Sequence, residues 1–354
     1  MRPWGWAAAC VVAAALGGCG IGGGSAIDGP VTVYISLPLS GPRAVDGRDA
    51  ADGARLALED AADRGGSKQV RAVVLDDAHG KPWDPVTVGE NARRAVQDSS
   101  AAAYIGELDS EPTRASVPIT NDAGLVQVSP GAGGVDLTRP AAGYPNSPDR
   151  YQPSGHGNFA RTVPADDVVA RAGAEWASEL GLKQVTVTSD DSPFQNLMAQ
   201  QFTDAAEERG VQIVQAKTPV GEGGKARSGP VYDAGTQVLD PQDGSPALRT
   251  TAELDPSRLP GRDFATRFAK RFHRDPGPYA AYGYEAMALV LQAIDGAGND
   301  ASQFRDNVRH GVIGANRTDT VLGNYSITSD GDTTECMIQR FRGADALGAP
   351  CPAP

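Results

Sequence analysis

Four loop clusters in this 354-residue chain carry side chains able to hold a small polar molecule. Leu39-Ser40-Gly41-Pro42 sets a hydroxyl in a tight turn directly after a β-branched run. Ser110-Glu111-Pro112-Thr113 reads as a helix start, with Ser110 as N-cap and Pro112 in the first turn. Pro130 to Gly134 is a run of small residues that serves a plain turn as readily as a ligand. Asp190, Asp191, Ser192 and Phe194 combine acid, hydroxyl and ring, and read first as an ordinary turn plus an N-cap, with a cleft-facing role as the other reading. What these clusters share is hydrogen bonding and charge pairing, not bond-making. There is no G-x-S-x-G nucleophile elbow. GEGGKA at 221–226 lacks the G-x-x-x-x-G-K-[ST] spacing of a phosphate loop. His79, His156, His273 and His310 are dispersed without paired metal spacing, so neither a metal nor a cofactor is expected. The chemistry points to binding, not catalysis.

The elements that must position these loops alternate between periods of two and of 3.6 residues. Val31, Val33 and Ile35 alternate with Thr32, Tyr34 and Ser36 as a strand, and Ala50, Ala51, Ala54, Leu58 and Ala61 then share one helical face. Further strands are expected at 69–77, 101–106, 125–129, 184–188 and 211–216, with helices at 85–98, 111–123, 165–180 and 195–209 between them. Such alternation predicts βαβ units and a parallel sheet, in which small ligands sit beyond the carboxyl ends of the strands. Ser40 is therefore the first candidate site. A polar, Pro-rich connector at 139–157 reads as a lobe boundary. The pattern lapses over 218–250, a Gly- and Pro-rich stretch where only 231–238 can be placed as ordered. It resumes with helices at 261–273, 278–294 and 304–310 and strands at 322–325 and 337–341. Tyr279, Tyr282 and Tyr284 open the 278–294 helix as packing residues, and any of them could line a hinge.

Length beyond one ordinary hydrophobic core implies two lobes. A net charge of −12, with acids scattered along the chain, argues against nucleic acid and against a basic membrane-surface patch. Arg2 precedes a short apolar stretch, Trp4 to Leu16, that reads as a signal h-region. It ends in Leu16-Gly17-Gly18-Cys19, which resembles a bacterial lipobox, with Cys19 as the lipid attachment site; a plain secretory signal is the other reading. The expectation is an exported chain held by lipid on the outer face of the cell membrane, with residues 1–18 as signal and 19–29 as flexible tether. Cys336 and Cys351 remain as a pair for an oxidising compartment. A hairpin turning between Gly343 and Ala344 would set them opposite each other, and closing that loop is worth about 3 kcal/mol on the chain-entropy argument.

PLSGP…DGARLA at 38–57, VRAVVLDD at 70–77, YIGELDSEPTRA at 104–115, GLVQVSPGAGGVDLT at 124–138 and PGPYAAYGYEAMALVLQAIDGAG at 276–298 stand in one order. Together they resemble the leucine/isoleucine/valine-binding proteins, solute receptors of ABC importers. The resemblance implies an α/β, two-lobed type I periplasmic-binding-protein fold (a Venus flytrap) with three crossovers and an amino-acid-like ligand in the cleft. It also implies an ABC permease as partner and, with it, a monomeric receptor. On this reading residues 30–150 and 255–325 form lobe 1, and 151–254 and 326–354 form lobe 2. Ser110 matches the family serine that meets the ligand carboxylate, and Ala132 a position whose backbone meets the ligand. Gly133 stands where the family places Thr, with Gly131 beside it in the same turn, and Asp46 replaces an aromatic wall residue. Asp190 and Phe194 could face the cleft from the second lobe. The family's later β-α-β segments, which supply an aromatic residue and an acid, have no counterpart identifiable in 218–250, so lobe 2 is expected to be abridged. A degenerate relative, acting as a surface interaction or sensory lipoprotein without solute transport, is the alternative.

Overall fold

The computed structural model describes residues 26–27, 29–64, 69–189, 192–215, 225–226, 229–235, 240–241, 244–261, 263–343 and 345–348. The first lobe is built from β1 (Val31–Leu37), α1 (Ala44–Asp63), β2 (Val70–Asp76), α2 (Pro85–Gln97), β3 (Ala101–Ile105), α3 (Ser110–Asp122), β4 (Val126–Ser129) and β5 (Phe159–Arg161). Its sheet runs β2-β1-β3-β4-β5, and every pairing is parallel. β1 is buried along its whole length, as a strand covered on both faces must be.

The second lobe starts with α4 (Asp166–Glu179), β6 (Gln184–Thr188), α5 (Pro193–Glu208) and β7 (Gln212–Gln215). β8 (Lys225–Ala226), β9 (Val231–Asp233), β10 (Asp240–Pro241) and β11 (Ala247–Thr251) follow. The chain then returns to the first lobe with α6 (Phe264–Phe272), α7 (Ala280–Gly296), α8 (Phe304–Val312), β12 (Asn316–Thr320) and β13 (Gly323–Ser326). It ends in the second lobe with β14 (Gln339–Arg342) and β15 (Asp345–Gly348). The second sheet runs β15-β14-β11-β9-β6-β7, while β8 and β10 form a separate two-residue parallel bridge.

Three differences from the sequence reading have physical causes. β5 pairs with β4, so residues 151–161 belong to the first lobe and not to the second. Three residues are too short a run for periodicity to reveal. The first helix turn after β3 begins at Ser110, with Asp109 in the extended N-cap conformation, so Ser110 is not the cap. Finally, the 218–250 stretch is not lost to the sheet: β9 lies between β6 and β11, parallel to both. Tyr232 holds it there, stacked on Phe202 at 3.7 Å between ring centres and sharing a 2.8 Å hydroxyl contact with Thr250. What the lobe lacks, among the described residues, is a helix between β7 and β9 or between β9 and β11.

Helix packing fixes where the first-lobe loops sit. α1 and α7 cross so closely that a Cβ on Gly53 would strike the Ala280 carbonyl, and one on Gly283 the Ala50 carbonyl. Only glycine lets two backbones touch in this way. The main core joins α1, α7 and α8 to one face of the sheet, and a smaller cluster around Tyr34, Tyr104 and Ala92 covers the other.

The chain passes between lobes at 162–165, 252–263 and 327–338. β5 leaves the first lobe at its carboxyl end, and β11 leaves the second lobe at its own. β14 enters antiparallel to β11, with Gln339 opposite Thr251. Both sheets therefore present their carboxyl ends to one shared boundary. At the far edge β14 and β15 form the expected hairpin, Arg342 opposite Asp345 with Gly343 at positive φ. Cys336, just before it, is disulfide-bonded; its expected partner Cys351 lies outside the described residues, as do Cys19 and the leader.

Candidate functional site

On the first-lobe side of the boundary stand the loops after β1, β2, β3 and β4. Ser40 is spent within this lobe. Its hydroxyl donates to Asp76 Oδ2 (2.6 Å) and accepts from Gly80 N (2.7 Å), pinning the loop after β1 to the loop after β2. Asp46 is not a bare acid facing a ligand, because Arg43 lies 3.2 Å from it and 3.2 Å from Asp109, with its guanidinium over the Tyr279 ring. Arg43 thus draws together the starts of α1, α3 and α7. This guanidinium is the functional group on that wall which sequence reasoning passed over.

Ser110 and the Pro130–Gly134 loop do come together. Ser110 Oγ accepts from Gly134 N (2.8 Å), while Gly131 N and Ala132 N both donate to Ser129 Oγ (3.1 and 2.8 Å). Beneath the loop, Arg161 is fully buried and donates to the carbonyls of Ala132 (3.0 Å) and Gly134 (2.9 Å). Its Nε reaches Asp332 (2.8 Å), which also accepts from Arg139 Nε (2.7 Å). Burial works against ionising Asp332, but these two arginines hold its carboxyl below the ordinary range. Arg139 in turn grips Asp167 of α4 through both terminal nitrogens. The loop is rigid and prepositioned, and an arginine already occupies the Ala132 carbonyl.

Gly133 has a specific use. Its carbonyl accepts from Asp166 N (2.8 Å), and a Cβ there would collide with Asp166 Oδ1. The second lobe thereby places a carboxylate directly over the Gly133 backbone. Burial pushes the Asp166 carboxyl up to about 7, against the pull of Arg161. No hydrogen bond to this carboxylate exists among the described residues; protein surrounds the carboxyl, while the residue as a whole keeps some exposed surface. Sequence reading missed Asp166 because it is the first residue of α4, where an acid is expected merely to favour the helix dipole.

Below the floor of the site, Asp77 and Glu107 are fully buried against each other at the ends of β2 and β3. Burial raises both carboxyls, Asp77 to about 7, and the Asp77 charge raises Glu107 further, while the hydrogen bond with Glu107 draws Asp77 back down, so the pair holds a proton between them. Tyr104 steadies Glu107 with a 2.6 Å hydrogen bond. From the second lobe, Ser192 caps α5 by accepting from Gln195 N, and Phe194 in the first turn leaves half its surface open (52%). Asp190 lies outside the described residues. Glu253, on the second crossover, acts electrostatically on the Tyr279 phenol, against the pull of Arg43. A cavity of about 400 Å³ lies elsewhere, at the amino ends of the first-lobe strands, and touches none of these groups.

Two α/β lobes, three crossovers and polar loops at the carboxyl ends of both sheets are the architecture of a solute-binding receptor. The family described as periplasmic binding protein matches residues 30–226, more than half of the chain, and the chain belongs to that family. Among solved structures it is similar to a leucine-binding protein of Thermotoga maritima, with 19% identity and a TM-score of 0.69, covering 92% of this chain and 99% of that one. It is also similar to a branched-chain amino-acid transporter binding protein of Streptococcus pneumoniae in complex with isoleucine (17%, TM-score 0.68, 91% and 100%). A solute-binding protein of R. palustris in complex with benzoate is as near in fold (17%, TM-score 0.69, 92% and 97%). None of the curated proteins matches the chain.

Proposed function

We propose that this chain is the solute receptor of an ABC importer and that it captures a small amino-bearing solute, amino-acid-like in character, by closing its two lobes. The carrying observation is Asp166. A carboxylate from the second lobe, without a hydrogen-bonding partner among the described residues, lies over the Gly133 backbone beside Ser110, where an ammonium or amide would complete its shell. Glu253 adds a second acid from the crossover, and Phe194 supplies an apolar wall. The Ser110 hydroxyl accepts one hydrogen bond from Gly134 and keeps its own proton to donate to a ligand oxygen. With Arg43 and Asp46 paired where an aromatic wall residue is usual, a polar side chain suits the site better than a plain aliphatic one. Lipid attachment at Cys19 and handover to a membrane permease by the monomer complete this reading.

One observation favours a second reading, a relative that no longer binds a solute. The Ala132 N–H and carbonyl, which should face the ligand, are satisfied by Ser129 and Arg161 within the protein. A thermal-shift screen of the mature domain against amino acids, amides, polyols and aromatic acids separates the two. A true solute at about 100 times its Kd adds about 2.7 kcal/mol of stability. A folded protein that no member of the screen stabilises would reject the transport reading.

A further inference from the structure

Tyr282, fully buried in the first turn of α7, is hydrogen-bonded to two crossovers and faces an acid of the third. Its carbonyl accepts from Thr162 Oγ1 (3.1 Å) on the first, and its hydroxyl donates to the Ala252 carbonyl (2.9 Å) on the second. From the third, the Glu335 carboxyl lies against that same hydroxyl. Glu335 is buried, and its Oε1 accepts from Met337 N (2.5 Å) while its Oε2 receives no hydrogen. The tyrosine has one proton to give and gives it to Ala252. A charged Glu335 would therefore sit in the hinge with a bare oxygen, whereas a protonated one donates to the Tyr282 oxygen and closes a chain from Glu335 through Tyr282 to Ala252.

We propose that Glu335 and Tyr282 form a proton-operated hinge latch, in which one proton on Glu335 ties the second and third crossovers together and its loss frees them to move. The groups acting on Glu335 are Tyr282 on α7 and the backbone N–H groups of Cys336 and Met337; no cation is among them. Tyr282 in turn is acted on by burial, Glu335 and the phenol of Tyr279, and Arg43, Glu253 and Asp109 act one step further out on Tyr279. Burial raises the Glu335 carboxyl to about 8, so the latch is closed below that pH and opens as pH rises through it. When Glu335 ionises, its carboxylate competes for the tyrosine proton and the Ala252 carbonyl loses its donor. Capture of solute by lobe closure would then depend on pH through the hinge itself, a consequence that rests on the receptor reading, although the latch does not.

The test uses the ligand-free mature protein, so that it is independent of whether any solute binds. Spin labels on α2 and α5 report the distance between lobes by double electron–electron resonance from pH ~6 to pH ~10, a range that brackets an acid raised to that extent. The expected result is a change in the distance distribution with a midpoint near 8. Glu335→Gln, which keeps a donor toward Tyr282, should hold the low-pH distribution throughout, and Tyr282→Phe should lose the transition. A wild type with one distribution across the range, or a Glu335→Gln protein that titrates like wild type, would overturn the latch. Should either variant not fold, carboxyl-carbon NMR of wild type decides, because a Glu335 that titrates with the exposed glutamates also overturns it.

Discussion

The two lobes reach parallel sheets by different means. In the first, α1, α2 and α3 follow β1, β2 and β3, and β1 is buried on both faces. In the second, α4 and α5 pack Val169, Trp176 and Phe202 onto β6, β9 and β11, yet no described helix joins β7 to β9 or β9 to β11. Parallel neighbours need a connection of a dozen or more residues, but that connection need not be helical. What keeps β9 in place is Tyr232, tied into Phe202, Thr250 and the Gly173 surface of α4. One large side chain can thus anchor a strand whose described connections carry no helix.

That contrast can be broken at its two anchors. Arg161→Ala should cost the most, about 3–5 kcal/mol, because it takes one of the two arginines from the Asp332 carboxylate and leaves the Ala132 carbonyl without its donor in the interior. Urea unfolding measures it, and a loss under about 1 kcal/mol would mean the buried ion network is dispensable. Tyr232→Ala should cost about 3 kcal/mol through the cavity it leaves. Its signature is local: amide exchange should quicken in β6, β9 and β11 and stay unchanged in β1 and β3. Equal acceleration in both lobes would contradict an anchoring role confined to the second.

A smaller effect follows from the buried acids. Asp77, Glu107 and Asp166 have carboxyls raised in the folded chain, so the fold binds protons that the unfolded chain has released. Their contribution to stability is complete below the ordinary carboxyl range of about 4 and is lost as pH rises through about 7. Asp77→Asn, which keeps a neutral hydrogen-bonding partner beside Glu107, should flatten the fall in stability between those limits. An unchanged slope would remove this pair as its source.

Much of the first lobe was legible because its strands and helices are long enough to show their periods, and because ordered loop motifs carry the family pattern. The second lobe was less so. β9 and β11 are short, have no described helix between them and lie amid Gly and Pro, so periodicity has little to act on. In the site, residue type predicted position better than role. Ser110 and the Ala132 loop do meet, but Ser40 is tied to Asp76 and Asp46 to Arg43. Asp166, Arg161 and Glu335 take their meaning from what tertiary structure brings against them: a glycine, two carbonyls and a tyrosine far away in sequence. A lone acid or arginine at a strand end carries no such signal by itself.

Binding at Asp166 tests the central claim most directly. The solute giving the largest thermal shift should be titrated calorimetrically into wild type and into Asp166→Asn, which keeps the shape and removes the charge. The account predicts measurable binding to wild type and at least a tenfold weaker Kd in the variant, about 1.4 kcal/mol or more, as expected for losing a charge-assisted hydrogen bond. Equal affinity in both proteins would place the ligand's amino group elsewhere and contradict the assignment of this cleft.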